Sequence, residues 1–218
     1  MDEVQLIVTA DVIPPAVTDA LRAGARDWRR YASVADSKEQ MARYVHWESD
    51  GEVPVRLAGE TATFADVDAC DAVLNGGGVG ELLRGMRDTV DVAVGRPRVI
   101  VDGRAEPGMV KASYIFRRLE TMPLVEFREH WFSIHGALWA KVPGVVRYVQ
   151  NHPLEPGSPL TDTVTHHGWS DIWFEDLESF SRGLRSPERH ETSKDGALML
   201  DYDSLRIFVT FEQEAAGR

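Results

Sequence analysis

The strand and helix signals of this chain run through one order twice, and a chain that does so is constrained to build one unit two times. In the first half Val4 to Thr9 is an apolar run that reads as a strand, and Pro14-Pro15 ends it and opens a helix over Ala16 to Trp28. Met41 to Trp47 and Val53 to Phe64 read as two strands parted by the turn cluster Ser49-Asp50-Gly51-Glu52. A helix over Ala65 to Leu74, a break at Asn75-Gly76-Gly77-Gly78, a short helix over Glu81 to Arg87 and a strand over Thr89 to Val94 complete the order β-α-β-β-α-β.

The segment Gly95 to Gly108, rich in Gly, Pro and charge apart from Val99-Ile100-Val101, reads as a connection. The order then returns, with a strand over Val110 to Phe116, a helix over Pro123 to Ala140, strands over Val145 to Asn151 and His166 to Phe174, a helix over Leu177 to Leu184 and a strand over Leu205 to Phe211. Ser186 to Gly196 is a polar excursion with room for one short helix after Pro187. Letters repeat too. Arg43-Tyr44-Val45-His46 matches Arg147-Tyr148-Val149-Gln150, and Phe64-Ala65-Asp66-Val67-Asp68 matches Phe174-Glu175-Asp176-Leu177-Glu178. The expected division is a first repeat over residues 1–95, a linker over 96–108 and a second repeat over 109–218.

One β-α-β-β-α-β unit makes a four-stranded antiparallel sheet with both helices on one face, the ferredoxin-like arrangement, and leaves the other face bare. The second copy is the available cover. The expected fold class is therefore α+β, with two such repeats packed sheet to sheet around a barrel-like core that holds a cavity wherever side chains leave space.

Composition narrows the function classes. With 43% hydrophobic residues the chain can bury a core, and a net charge of −11 without any Lys/Arg-rich run argues against nucleic acid or an anionic membrane as partner. The opening MDEVQLIVTADVIPP is too briefly apolar for a signal segment or a membrane span, so the expected location is the cytoplasm. The single cysteine, Cys70, rules out an internal disulfide and a cysteine-rich metal site. The histidines lack metal-ligand spacing: His130 and His135 fall on different helical faces, and His166 and His167 point to opposite sides of a strand. Asn75-Gly-Gly-Gly-Val79-Gly80 follows a helix and lacks a Lys-Ser/Thr pair, so it is no nucleotide loop. No metal is expected.

The richest stretch for chemistry is Thr121 to His152. On a helical count Leu124, Phe127, Trp131, Ile134 and Leu138 draw an apolar stripe, and His135 lies inside it. Burial there lowers an imidazole pKa and keeps the neutral, basic form, although a core histidine bonded to backbone would look the same. Gly136 costs about 1 kcal/mol in a helix, which implies close packing. Tyr148, Gln150 and His152 share one face of a strand, as do Tyr44, His46 and Glu48; if these faces line the cavity, phenol, amide and imidazole groups converge on it. His167, Trp169, Asp171 and Trp173 share a face of the next strand. Asp171 there either orients a histidine or pairs with an arginine such as Arg147, the second role being preferred, and His167 is a candidate substrate contact. His130 and His190 read as solvated, and His152 as a loop residue.

The run Phe127-x-x-x-Trp131-x-x-x-His135-Gly136-x-Leu138, then Pro143-Gly144, Arg147-Tyr148-Val149-Gln150-Asn151-His152, Gly168-Trp169-Ser170-Asp171-Ile172-Trp173-Phe174 and Ser186-Pro187, resembles the EthD family of the dimeric α/β barrel superfamily. The likeness covers the second half. The first half resembles the superfamily only in strand order and the Arg-Tyr-Val run, as a degenerate partner. The resemblance implies a tandem barrel in a superfamily of cofactor-free isomerases, cyclases, dehydratases, decarboxylases and haem-using members. The expected activity is cofactor-independent acid–base chemistry on a small apolar carbonyl compound, such as an aromatic polyketide or lactone. His135 and Tyr148 are the expected catalytic groups, and Tyr44, His46, Trp131, Gln150, His167, Asp171 and Trp173 the expected substrate contacts. A small-molecule carrier and a haem-dependent oxygenase are the competing readings, and a homodimer is compatible with the family.

Overall fold

The computed structural model describes residues 3–41, 43, 54–76, 78–155 and 158–213. The first repeat runs β1 (Val4–Ala10), α1 (Pro15–Gly24), β2 (Asp27–Ala32), α2 (Lys38–Met41), β3 (Val55–Arg56), β4 (Ala58–Phe64), α3 (Val67–Leu74), α4 (Val79–Gly85) and β5 (Val90–Val101). The second runs β6 (Val110–Arg118), α5 (Leu124–His130), a π-helical turn (Trp131–His135), α6 (Gly136–Trp139), β7 (Val145–Pro153), β8 (Gly168–Phe174), α7 (Leu177–Leu184), α8 (Pro187–Gly196) and β9 (Leu200–Phe211). A 3₁₀ turn over Pro159–Asp162 lies between β7 and β8.

The strand order β2-β4-β1-β5-β7-β8-β6-β9-β3 contains the same pattern twice: second, third, first and fourth strand of each repeat. Each set is antiparallel, so each repeat is a ferredoxin-like sheet. The antiparallel β5–β7 pair joins the two sheets. At the far side β9 returns beside β2, where Val34 N–H donates to Val209 O at 2.9 Å and Thr210 Oγ1 to Ala32 O at 2.8 Å. The fold is a tandem version of the dimeric α/β barrel.

Period-two alternation sorts the side chains. Val4, Leu6 and Val8 of β1 and Val90, Val92 and Val94 of β5 meet α1, α3 and α4, while Val110, Ala112, Tyr114 and Phe116 of β6 meet the second-half helices. The inward residues Ile7, Ala93, Ile115 and Trp169 form a third cluster that fills the middle of the barrel. Asp66 and Asp176 cap α3 and α7 alike, accepting from Ala69 N and Ser179 N at 2.8 and 2.7 Å. The second letter match therefore falls on equivalent elements.

The first match runs into residues outside the described ones; the structural equivalent of β7 is β2, and the shared register with β4 and β8 puts Asp27-Trp28 where Arg147-Tyr148 stands. The expected helix to Trp28 stops at Gly24, where any Cβ would collide with Val73 Cγ2, and the chain turns into β2 with Trp28 opposite Ala62 of β4. Charge at Arg29-Arg30 hid an alternating strand. Met41 ends a helix and is not a strand start, and residues 44–53 lie outside the described residues. The expected strand Val53 to Phe64 divides at Leu57: Val55–Arg56 joins β9 in parallel and Ala58–Phe64 joins β1 and β2. Residues 96–101, read as part of a connection, continue β5 because β7 supplies a ladder partner.

Candidate functional site

The helix over Leu124–Trp139 is interrupted where its sequence is most apolar. Gly136 N–H bonds back to Trp131 O, five residues earlier, and Gln150 Nε2 donates to the same carbonyl at 2.7 Å. The wider turn puts Phe127, Trp131, His135 and Trp139, four apart, on the buried side and turns Ile134 out to 50% exposure. The expected stripe through Ile134 and Leu138 is thus replaced by one through His135 and Trp139. Gly136 does pack closely, since an added Cβ would meet Gln150 Nε2 at 3.1 Å and Ile100 at 3.3 Å.

His135 is buried between the second-half helices. Its Nδ1 lies 2.8 Å from Asp195 Oδ2, near the end of α8, and Trp139 Nε1–H donates to its Nε2 at 3.1 Å. These contacts set one tautomer, with Nδ1–H donating to the carboxylate and a lone pair on Nε2. Burial lowers the His135 pKa, against the pull of Asp195. Burial raises that of Asp195, but the hydrogen bonds from His135 and His130 outweigh it and the net shift is down. His130, expected in solvent, reaches Asp195 Oδ1 at 2.8 Å with only 20% of its side chain exposed. Arg189 of α8 stacks over the Trp139 ring at 5.0 Å and acts on the Tyr114 hydroxyl, opposing burial, which raises that phenol's pKa. Asp195, Trp139 and Arg189 were not among the expected site residues. Their signal was weak: α8 is polar all round, and only Ser186-Pro187, where Ser186 Oγ accepts from Arg189 N, announces a helix.

Tyr148, Gln150 and His152 do share a face, but it is the face toward the helices and not the barrel interior. The Tyr148 hydroxyl accepts from Gln150 Nε2 at 2.9 Å and sits 3.3 Å from Ser170 Oγ; burial pushes its pKa up to about 12. His152, expected in a loop, is buried with its Nε2 2.9 Å from Gln150 Oε1 and its ring 4.3 Å from that of Trp131. The Trp139 ring lies between this network and His135, 6.3 Å from the Tyr148 ring. The cause of the changed face is strand direction: Arg147, Val149 and Asn151 take the inward positions.

Of the other expected residues, Asp171 and Trp173 point into the barrel. Asp171 accepts from Ser113 Oγ at 2.5 Å, Trp169 Nε1 at 2.9 Å and Asn151 Nδ2 at 3.3 Å, while Arg147 pairs with Asp102, so the expected Asp171–Arg147 pair does not form. His167 lines a pocket of about 290 Å³ with Leu124, Leu154, Leu160 and Val164, its Nδ1 accepting from Arg118 N at 3.1 Å. Tyr44 and His46 lie outside the described residues. Among the described residues no three His, Cys, Asp or Glu converge as a metal site, and no helix is long and apolar enough to cross a membrane. Among the described histidines, His135 and His166 have both ring nitrogens engaged, His166 through Thr165 Oγ1 and Ser204 O, whereas His152 Nδ1 is buried without a hydrogen-bond partner.

Residues 119–203 match the EthD domain family. No curated protein matches the sequence. Among solved structures, an EthD family protein from Bacillus halodurans is 22% identical, covering 48% of this chain and 99% of its own, with a TM-score of 0.40. An anthrone oxidase-like protein is 11% identical over 99% of this chain and 94% of its own, TM-score 0.54. A candidate chlorite dismutase is 9% identical over 99% and 96%, TM-score 0.52. At such identities the last two speak for the fold alone.

Proposed function

Taking residues 119–203 as an EthD domain set in a tandem ferredoxin-like barrel, we propose that the chain is an acid–base enzyme acting on a small, largely apolar carbonyl compound such as an aromatic polyketide or a lactone. The observation that carries this reading is the buried His135–Asp195 pair, in which Nδ1–H is held by a carboxylate and Nε2 keeps its lone pair. Such a pair moves protons in either direction near neutral pH. A proton leaves the carbon beside the carbonyl for His135 Nε2, and Asp195 shares the resulting positive charge. The oxygen that gains charge takes a hydrogen bond from a neutral donor or a cation, for which Tyr148, Tyr114 and Arg189 are the nearby groups. The same proton then returns to another position of the substrate or to a leaving group, which covers isomerisation, cyclisation and elimination. Because Trp139 Nε1–H occupies Nε2, the indole must turn aside when substrate enters.

A panel of aromatic polyketides and lactones assayed with the wild type and with His135→Asn tests this. The expected result is a fall in kcat of about 100-fold or more, the usual scale of a lost general base, with binding kept within a few-fold. Turnover that survives His135→Asn unchanged would overturn the proposal.

A further inference from the structure

One end of the barrel interior is an open hollow of about 620 Å³, within the range of small-molecule sites. It lies beyond the Ile7, Ala93, Ile115 and Trp169 plug and shares no residue with the His135 cluster. Its walls combine apolar surface from Tyr31, Trp173, Val99 and Val149 with four acidic and four basic side chains, most of which are paired off. Arg29 is spent on Glu212 at 3.0 Å and Arg104 on Glu106 at 2.9 Å. Asp171 is satisfied by the three neutral donors already described. Lys111 is the exception among the cations: it is 4% exposed, and among the described residues no carboxylate lies within ion-pair distance of it, Asp171 and Glu212 acting on it only from farther away. Its ammonium lies 3.8 Å from the centre of the Tyr31 ring and 5.9 Å from that of Trp173, two aromatic faces that attract a cation without neutralising it. A buried ammonium of this kind is costly, and an anion brought to it recovers much of that cost.

We infer that this end of the barrel binds a small organic anion with a flat apolar body, an aromatic carboxylate, whose carboxylate meets Lys111 while its ring lies against Trp173 and the Val99 and Val149 side chains. Coulombic attraction from Tyr31, Asp171 and Glu212 offsets the burial that would lower the Lys111 pKa, and the net shift is up, so the charge is kept at neutral pH.

Calorimetric titration of the full chain with salicylate and with salicylamide, its neutral analogue, tests the assignment. Salicylate is expected to bind saturably and the amide at least 10-fold more weakly. Lys111→Met is expected to raise the salicylate Kd at least 10-fold, Lys111→Arg to keep it within a few-fold, and His135→Asn to leave it unchanged. Equal binding of acid and amide, no saturable binding of salicylate, or an unchanged Kd in Lys111→Met would each overturn the proposal. The acid and amide comparison needs no variant, so it decides the matter even if Lys111→Met does not fold. Because the His135 and Lys111 substitutions read different sites, loss of one result leaves the other standing.

Discussion

Asp195 and Trp139 pull the His135 ring in opposite directions. The carboxylate favours the imidazolium, whereas the indole N–H on Nε2 favours the neutral ring. In a proton NMR titration His135 is therefore expected to titrate below 6.5 in the wild type, lower still in Asp195→Asn and higher in Trp139→Phe. A shift of the same sign in both variants would contradict this network. Trp139→Phe also trims a buried ring packed on Tyr114 at 5.4 Å, so it should cost about 1–3 kcal/mol in urea unfolding. At this scale the burial of His135 was legible in the sequence, because a polar residue inside an apolar stripe is visible in one dimension. Its partner, sixty positions away on a helix with no apolar face, was not.

Among the elements, the π-helical turn depends on β7. The Gln150 amide spans the Trp131 carbonyl, the Tyr148 hydroxyl and the His152 ring, so one side chain satisfies three buried polar groups. Gln150→Leu keeps the volume, takes one bond from Trp131 O and from the Tyr148 hydroxyl and leaves the His152 ring with no partner; it should cost about 1–3 kcal/mol in chemical denaturation, from the penalty on a buried polar group left without a partner. A loss under 1 kcal/mol would mean that the turn holds without β7. The order of strands and helices was largely readable from period and punctuation. The π turn was not, since inserting one residue into a turn changes which side chains are buried without changing which residues favour helix.

The whole molecule carries an acid sensitivity. Burial lowers the pKa of His152 to about 3 and of His166 to about 4, and lowers that of His135 as well. Below the unfolded value of 6.5 each ring takes a proton on unfolding that it refuses when folded, so unfolding is favoured as pH falls. Stability should be flat above about pH 7 and drop from pH 6.5 toward 4, by up to about 1.4 kcal/mol per pH unit for each histidine. Asp195, whose folded pKa is depressed, adds a loss at lower pH, below the ordinary carboxylate range. Thermal melts from pH 8 to 4 check the slope, and a melting temperature that rises on acidification would contradict it. The closure of the barrel is a second test: Glu212 takes both Arg29 from β2 and Trp173 Nε1 at 2.7 Å, so Glu212→Ala should cost about 2–4 kcal/mol.

By itself the sequence determined that two β-α-β-β-α-β units face one another and that the second carries the more constrained helix, because both follow from hydrophobic period and local punctuation. Which face of β7 looks inward, which carboxylate meets His135, and that the hollow holds Lys111 in place of an imidazole were decided only in three dimensions. A strand's two faces are equivalent until sheet pairing fixes them, and side chains far apart in the chain meet only once the helices are docked.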